Sequence, residues 1–514
     1  MATVERVKPF HLLQEHEKVQ TRYTEDVEVL RKTFASGKTK SLAWRKDQIR
    51  KLQQFIEDHY EDLVNAAEKD IGKSRMESVL YEVEFVLNDI RGADIELEGW
   101  MKAESVPKTL MTVLDRSFVH SEPYGVALII GAWNYPVQLV ISPLVGAITA
   151  GNCAVIKTAE LSPNTSKVMS KLTEYLDKEA FLLINGGVEE ATEILKEKFD
   201  FIFYTGSVSV GKIIYAAAQK YLTPVTLELG GKSPVYVHSD VDLEMTVRRI
   251  LWGKFVNAGQ TCVAPDYVMC HESVHDKFIS STHKIIREFF GENPRESPDF
   301  ARIVTQRHTK RLVDLLKDAD IVLGGDADIE QRYLAPTVVQ NVRATDPVMQ
   351  EELFGPILPV LRVKNLDEAI SFINARDKPL AAYVFAAHES IVSRFLNETS
   401  SGSACVNDVM VHLSVEGLPF GGVGSSGIGR YHGKHSFDCF SNKKAVLQRD
   451  FSWIGEAVGR RRYPPYKIGN IDFFKWILKR RKSYLAFTSI LPFLYGTCFG
   501  LFLAAIYSFL SSSP

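Results

Sequence analysis

The chain has 514 residues, 45% hydrophobic and 24% charged, with Lys+Arg 61 against Asp+Glu 63. That length calls for two or three domains rather than one, and the near-neutral balance leaves no electrostatic footprint for nucleic acid. Six cysteines (Cys153, Cys262, Cys270, Cys405, Cys439 and Cys498) show no paired spacing, which excludes a disulfide framework or a zinc site, fits a reducing compartment and leaves no metal to expect.

Taken in order, residues 1–16 are polar and charged, so no secretory signal is predicted. From about Thr24 to Met101, charged and apolar residues interleave at three- and four-residue spacing without proline, which predicts helices capped by Asp26, Ser41 and Ser74. Ser117–Pro123 reads as a short extended segment. Gly125–Gly131, Asn152–Ile156, Phe199–Tyr204, Val225–Leu229 and Val235–Val237 are apolar runs of the kind expected for parallel strands buried on both faces. Helical patterns, Asn164–Leu176 and Glu189–Lys198, lie between them. A second series follows Gly231: Tyr267–Cys270, Ala335–Val339, Ile357–Val363, Ala382–Phe385 and Ala404–Asn407. Strand–helix alternation of this kind predicts an α/β protein of two doubly wound, Rossmann-like domains with a seam near Gly230.

The C-terminus differs. Tyr484–Leu510 carries no charged side chain, and as a helix it would be about 40 Å long, enough to cross a bilayer core of about 30 Å. Lys479, Arg480, Arg481 and Lys482 stand directly before it, so the positive-inside bias puts the preceding chain on the cytosolic side. A tail anchored in the lipid bilayer is predicted, preceded by an amphipathic aromatic segment, Ile471–Leu478, suited to the membrane surface.

Two glycine-rich stretches invite a nucleotide reading. Phe201–Lys212 (FIFYTGSVSVGK) is an apolar strand, a glycine turn and a helix start, which aims backbone N–H groups at an anion. It misses the P-loop, because Ile213 stands where Ser or Thr would hold Mg²⁺. Gly422–Gly427 matches G-x-G-x-x-G but no strand precedes it, so a flexible loop is the better reading. Lys157 and Glu160 follow the second strand, where a nucleotide docks in open α/β sheets.

Three residues carry chemistry. Cys262, in WGKFVNAGQTCVAP, would be a few per cent thiolate at neutral pH; a helix end, base or water within reach would raise that fraction. Taken alone, such a cysteine reads equally as a small buried hydrophobe. Glu228 is a carboxylate in an apolar strand, where burial raises its pKa towards that of a useful base. Asn134, in GAWNYP, offers an amide to a developing oxyanion. Glu352 and Phe354, in QEELFGP, are read as two apart on one face of an extended segment. His412, His432 and His435 lack metal-like spacing and read as structural.

Together, GAWNYP, FYTGSxxVG, LELGGKSP, GQTCVAP, EELFGP and PFGGVG, in that order from Gly131 to Gly424, resemble the aldehyde dehydrogenase superfamily. The stretch Leu418–Ser441 and RYPPY at Arg462–Tyr466 are similar to its class-3 branch, whose membrane-anchored fatty aldehyde dehydrogenases also end in a hydrophobic tail. The resemblance implies an NAD(P)-binding domain over 1–230 apart from a bridging segment at 105–124, and a catalytic domain over 231–410. It further implies a bridging and dimerisation element over 411–466, followed by the membrane-surface segment 467–483 and the tail 484–510.

It implies Cys262 as nucleophile, Asn134 as oxyanion holder and Glu228 as the base for water. Lys157 and Glu160 fall at ribose-binding positions, and Gly206 and Ser207 fall by the pyrophosphate, with Gly211 in the same turn–helix unit. Glu352 and Phe354 fall beside the nicotinamide. The implied reaction is NAD(P)-dependent oxidation of medium- to long-chain aliphatic aldehydes by a homodimer on the cytosolic face of the endoplasmic reticulum, with the peroxisome or outer mitochondrial membrane as alternatives. Glu160 favours NAD over NADP. An acylating dehydrogenase, or a catalytically silent membrane scaffold, is the rival reading.

Overall fold

The computed structural model describes residues 20–479 and, beyond them, 495–497, 500, 501 and 504. Among the described residues no helix is long and apolar enough to cross a membrane, and the predicted span at 484–510 lies almost wholly outside them.

The chain divides into two compact units. The first takes residues up to Met101 and Glu122–Asn442. It opens on helices Thr24–Ala35, Leu42–Asp58, Tyr60–Ile71 and Glu84–Trp100, the last entered through a wide π-turn at Val79–Val83. Ser41 and Ser74 cap as predicted, accepting hydrogen bonds from the Trp44 and Glu77 N–H groups. Asp26 does not. The first helix begins two residues earlier, at Thr24, and Asp26 sits in its first turn, where a carboxylate serves the helix dipole instead.

Two sheets follow. The first holds β1 (Val126–Ile130), β2 (Cys153–Lys157), β3 (Phe181–Ile184), β4 (Phe201–Thr205) and β5 (Val225–Glu228). Its order is β3-β2-β1-β4-β5, all parallel. β1, β2 and β4 are buried at every position, as continuous apolar runs covered on both faces must be. The second sheet holds β6 (Pro234–Val237), β7 (Tyr267–His271), β8 (Asp320–Leu323), β9 (Thr337–Gln340), β10 (Ile357–Val363), β11 (Ala381–Phe385) and β12 (Ser403–Val406). It is ordered β8-β9-β10-β7-β6-β11-β12 and is parallel except for β8. A last strand, β13 (Gly427–Ile428), returns to the first sheet and pairs antiparallel with β5, placing Gly427 opposite Glu228. β3 and β8 carry no legible strand signal: each is four residues long, and β8 is an edge strand whose first two residues are exposed.

The second unit, residues 102–121 with 443 onward, holds Glu104–Ser105 and most of Arg116–Pro123 and Ser441–Gln448, which form a three-stranded sheet. Within it the buried Asp115 pairs with Arg449 at 3.0 Å, and helix Asn470–Leu478 packs on the turn Leu110–Thr112.

Candidate active site

Strand order in the first sheet reverses between β1 and β4, because β2 and β3 add on one side and β4 and β5 on the other. Ligands of doubly wound sheets bind outside the carboxyl ends at such a point. There Gly131–Pro136 leaves β1, Lys157 ends β2, Gly206–Ser207 leaves β4 and Glu228 ends β5.

Asn134 is buried at 4% exposure. Its Nδ2 donates to the Gln260 carbonyl at 3.1 Å, and its own carbonyl accepts from Asn257 Nδ2 at 3.0 Å and Lys73 Nζ at 2.9 Å. Tyr135 Oη lies 2.7 Å from Thr261 Oγ1. These bonds join the β1 loop to the residues immediately before Cys262. An amide nitrogen carries two protons, so the bond to Gln260 uses one N–H of Asn134 and leaves the other.

Cys262 follows helix Leu243–Phe255 and a turn in which Asn257 (φ 51), Ala258 (φ 51) and Gly259 (φ 75) are all left-handed. Single non-glycine residues in that region cost about 1–2 kcal/mol and persist only where surroundings dictate them. Here the surroundings are tight, since a Cβ on Gly259 would overlap the Gly355 carbonyl. The thiol opens on an apolar cavity of about 350 Å³, lined among others by Tyr81, Phe85, Leu139, Trp252, Met410, Leu413 and Phe420. Burial, and then the carboxyls of Glu352 and Glu228, push its pKa up to about 12. The sequence left a helix end, a base or water as means to raise the thiolate fraction; the helix before Cys262 ends at Phe255, so a C-terminus rather than an N-terminus precedes the thiol.

Glu228 is 3% exposed, and neither carboxylate oxygen has a hydrogen-bond partner among the described residues. Burial holds it well above the ordinary carboxyl value, with Arg430 the opposing charge. The strand Gly427–Ile428 closes over it. Two glycines of 422–427, a stretch read from sequence as a flexible loop, are closely packed: a Cβ on Gly422 would overlap Ser426 O, and one on Gly427 would overlap Leu227 O. At these two the backbone passes too near its neighbours for a side chain, whereas Gly424 is left-handed at φ 65 and uncrowded.

At the mouth of the crevice, the Lys157 ammonium, 4% exposed, donates to Thr158 O at 3.1 Å and to Glu160 Oε2 at 3.5 Å, while Glu160 is 47% exposed. Ser207 caps helix Val208–Gln219, whose first turn is open to solvent. Gly211 faces Leu229, where a Cβ would meet Cδ2 at 2.7 Å, and so brings that helix close to the strand end. Glu352 lies so close over Gly230 that a Cβ there would overlap its carboxylate. Burial raises it to about 8.

Phe354 is left-handed (φ 49) and packs edge-on against Trp133 at 5.4 Å. That corrects the extended reading: the kink at Phe354 sends its ring to Trp133 while Glu352 turns to Gly230. An ammonium, a carboxylate and an open helix N-terminus at a reversal point, with a second carboxylate nearer the thiol, fit a dinucleotide with hydroxyl-rich and phosphate parts.

His412 Nε2 lies 3.0 Å from Ser403 Oγ, and His432 stacks on Phe420 at 5.1 Å in the cavity wall, with burial lowering it to about 3. Sequence reasoning passed over Lys73, Glu77, Glu82 and Asn257. Lys73, Glu77 and Glu82 sit in a polar helical stretch whose pattern reads as solvated surface, and Asn257 carries no signal of its own within the stretch quoted for Cys262.

A model of the aldehyde dehydrogenase family matches residues 3–446. The chain is 48% identical over 457 residues to aldehyde dehydrogenase family 3 member A2 of Macaca fascicularis, covering 89% of this chain and 94% of that one. To the dimeric NADP-preferring aldehyde dehydrogenase of Rattus norvegicus it is 47% identical, covering 86% and 97%. Among solved structures, a substrate-bound state of Staphylococcus aureus AldH superposes with a TM-score of 0.85 at 44% identity, covering 88% of this chain and 99% of that one.

Proposed function

The chain belongs to the aldehyde dehydrogenase family, and on that premise we propose that it oxidises medium- to long-chain aliphatic aldehydes to carboxylic acids through a covalent adduct on Cys262. One observation carries this reading: the Cys262 thiol opens on an apolar cavity, with an unpartnered buried carboxyl, Glu228, acting on it and the Asn134 amide bonded to its loop.

NAD or NADP is the cofactor, and the crevice residues fit it. Lys157 and Glu160 would hold a ribose, the N-terminus of helix Val208–Gln219 with Gly206 and Ser207 the pyrophosphate, and Glu352 and Phe354 the nicotinamide end. A carboxylate at Glu160 repels a 2′-phosphate and favours NAD, although an exposed side chain can swing aside. When bound, the nicotinamide supplies the acceptor for the aldehyde's hydride.

The protein's own residues do the rest. The thiol rests protonated, held so by burial and by the carboxyls of Glu352 and Glu228; as sulfur bonds to the carbonyl carbon the thiol proton passes to the carbonyl oxygen, and it is released to solvent when the hydride leaves. The carbonyl oxygen gains charge, and the free N–H of Asn134 with the Cys262 backbone N–H is suited to stabilise it. Once an acyl group is joined to sulfur as a thioester, Glu228 takes a proton from water. The water adds to the acyl carbon, the carboxylic acid departs and the thiol is restored. An acylating variant would pass the acyl group to coenzyme A instead, so a free acid rather than an acyl-CoA product decides between the two.

Preference for long chains is supported by the apolar lining of the cavity. The homodimer is supported by the name of the rat relative. We further propose that the apolar stretch 484–510 anchors the protein in the endoplasmic reticulum membrane, with the enzyme facing the cytosol; its uncharged length and the basic run before it support this. A fluorescent fusion of Trp476–Pro514 should mark that membrane, and a diffuse cytosolic signal would refute the anchor.

A further inference from the structure

Lys73 and Glu82 form an ion pair in the first unit with side-chain exposures of 0% and 1%. The ammonium donates to Glu82 Oε1 at 2.7 Å and to the Asn134 carbonyl at 2.9 Å, and it lies 4.0 Å over the Tyr135 ring. Glu82 Oε2 accepts the N–H groups of Val137 and Gln138, each at 3.1 Å, at the entry to helix Gln138–Ala150. The pair therefore grips both ends of the loop Asn134–Val137. Glu82 belongs to the π-turn Val79–Val83, a widened turn of a kind that recurs at functional sites.

The neighbouring Glu77 Oε2 accepts the N–H of the left-handed Asn257 at 3.0 Å. Asn257 Nδ2 in turn donates to both the Asn134 and Gln260 carbonyls. One short stretch of sequence, 73–82, thus holds the amide loop directly and the turn before the nucleophile through Asn257.

Taking two charges out of water is costly, and stability alone is often served as well by an apolar pair of the same volume. We propose that the buried Lys73–Glu82 pair is a positioning device for the reaction, setting the Asn134 amide against the oxyanion while touching neither substrate nor cofactor. The inference rests on the reading of Asn134 as oxyanion holder.

The test uses Lys73→Met/Glu82→Leu, which removes both charges and keeps the volume. Single-turnover hydride production from a long-chain aldehyde should fall by about 10- to 100-fold, less than the loss expected from deleting an oxyanion donor outright. Aldehyde KM should stay near the parent value, while the melting temperature should fall because the Val137 and Gln138 N–H groups lose their acceptor. In an Asn134→Ala background the same double substitution should have almost no further effect on that rate, because residues acting through one another are non-additive.

A parental rate in the folded double variant overturns the proposal, and so does a loss that adds fully to that of Asn134→Ala. If the double variant does not fold, the isosteric Glu82→Gln carries the same comparison with the same two outcomes. Should Asn134→Ala itself keep the parental rate, the oxyanion reading falls, a failure distinguishable from that of the pair.

Discussion

Glu228→Gln separates acylation from hydrolysis, and the structure gives its size. Glutamine matches glutamate in volume, so it fits beneath Gly421 and Gly427, where an added Cβ would already crowd Glu228 or its strand. No hydrogen bond is broken, because neither carboxylate oxygen has a partner among the described residues. What is lost is proton acceptance, a contribution of about 10²- to 10⁴-fold, or about 3–5 kcal/mol of barrier. Rapid mixing of the variant with NAD and a long-chain aldehyde should give a burst at 340 nm close to one equivalent, followed by slow turnover. Intact-mass measurement should then find the acyl group on Cys262.

The carboxyl also has a signature in stability. Its folded pKa lies above the unfolded value, so between the two the folded state binds more protons and stability falls as pH rises. Glutamine removes that slope, and its melting temperature should therefore gain on the parent's as pH rises above the ordinary carboxyl value. Parental steady-state turnover in Glu228→Gln, or loss of the burst itself, would refute the assignment of this base to hydrolysis.

Other consequences follow from the same geometry. With a thiol at about 12, alkylation of the free enzyme by iodoacetamide should quicken about tenfold per pH unit from 7 to 10, abolished in Cys262→Ala; a plateau near pH 8.5 would mean an ordinary thiol. Each methylene added to the aldehyde buries about 0.8 kcal/mol in the apolar cavity, so kcat/KM should climb about fourfold per carbon until the cavity fills. A flat series from three to eight carbons would count against the cavity as the aldehyde's site. Gly259→Ala strains a left-handed residue against the Gly355 carbonyl and should lower the melting temperature by several degrees, whereas Gly37→Ala, left-handed but in open space, should cost less; equal losses would refute the close-approach argument.

Much of this was legible in the chain itself. Strands buried on both faces must be apolar throughout, so β1, β2 and β4 announced themselves within two residues of their ends. Reactive residue types also stood out where they broke a pattern, as Glu228 does in an apolar strand and Cys262 does among small polar residues. Such signals are local, written in the period and chemistry of a few neighbours. Asp26 shows their limit, since the helix starts two residues earlier and leaves both Glu25 and Asp26 in its first turn, with neither as cap.

Tertiary structure alone decided what depends on distant segments meeting. The carboxyl of Glu228 is buried, and without a hydrogen-bond partner among the described residues, where the segments at Gly421 and Gly427 pack against it and its strand. Burial first, and then the carboxyls of Glu352 and Glu228, drive the Cys262 thiol towards its protonated form. Lys73 and Glu82 look like surface charges until helices and the Asn134 loop enclose them. Burial and electrostatics depend on what packs around a group rather than on what precedes it, which is why sequence named the reacting atoms and the fold set their protons and positions.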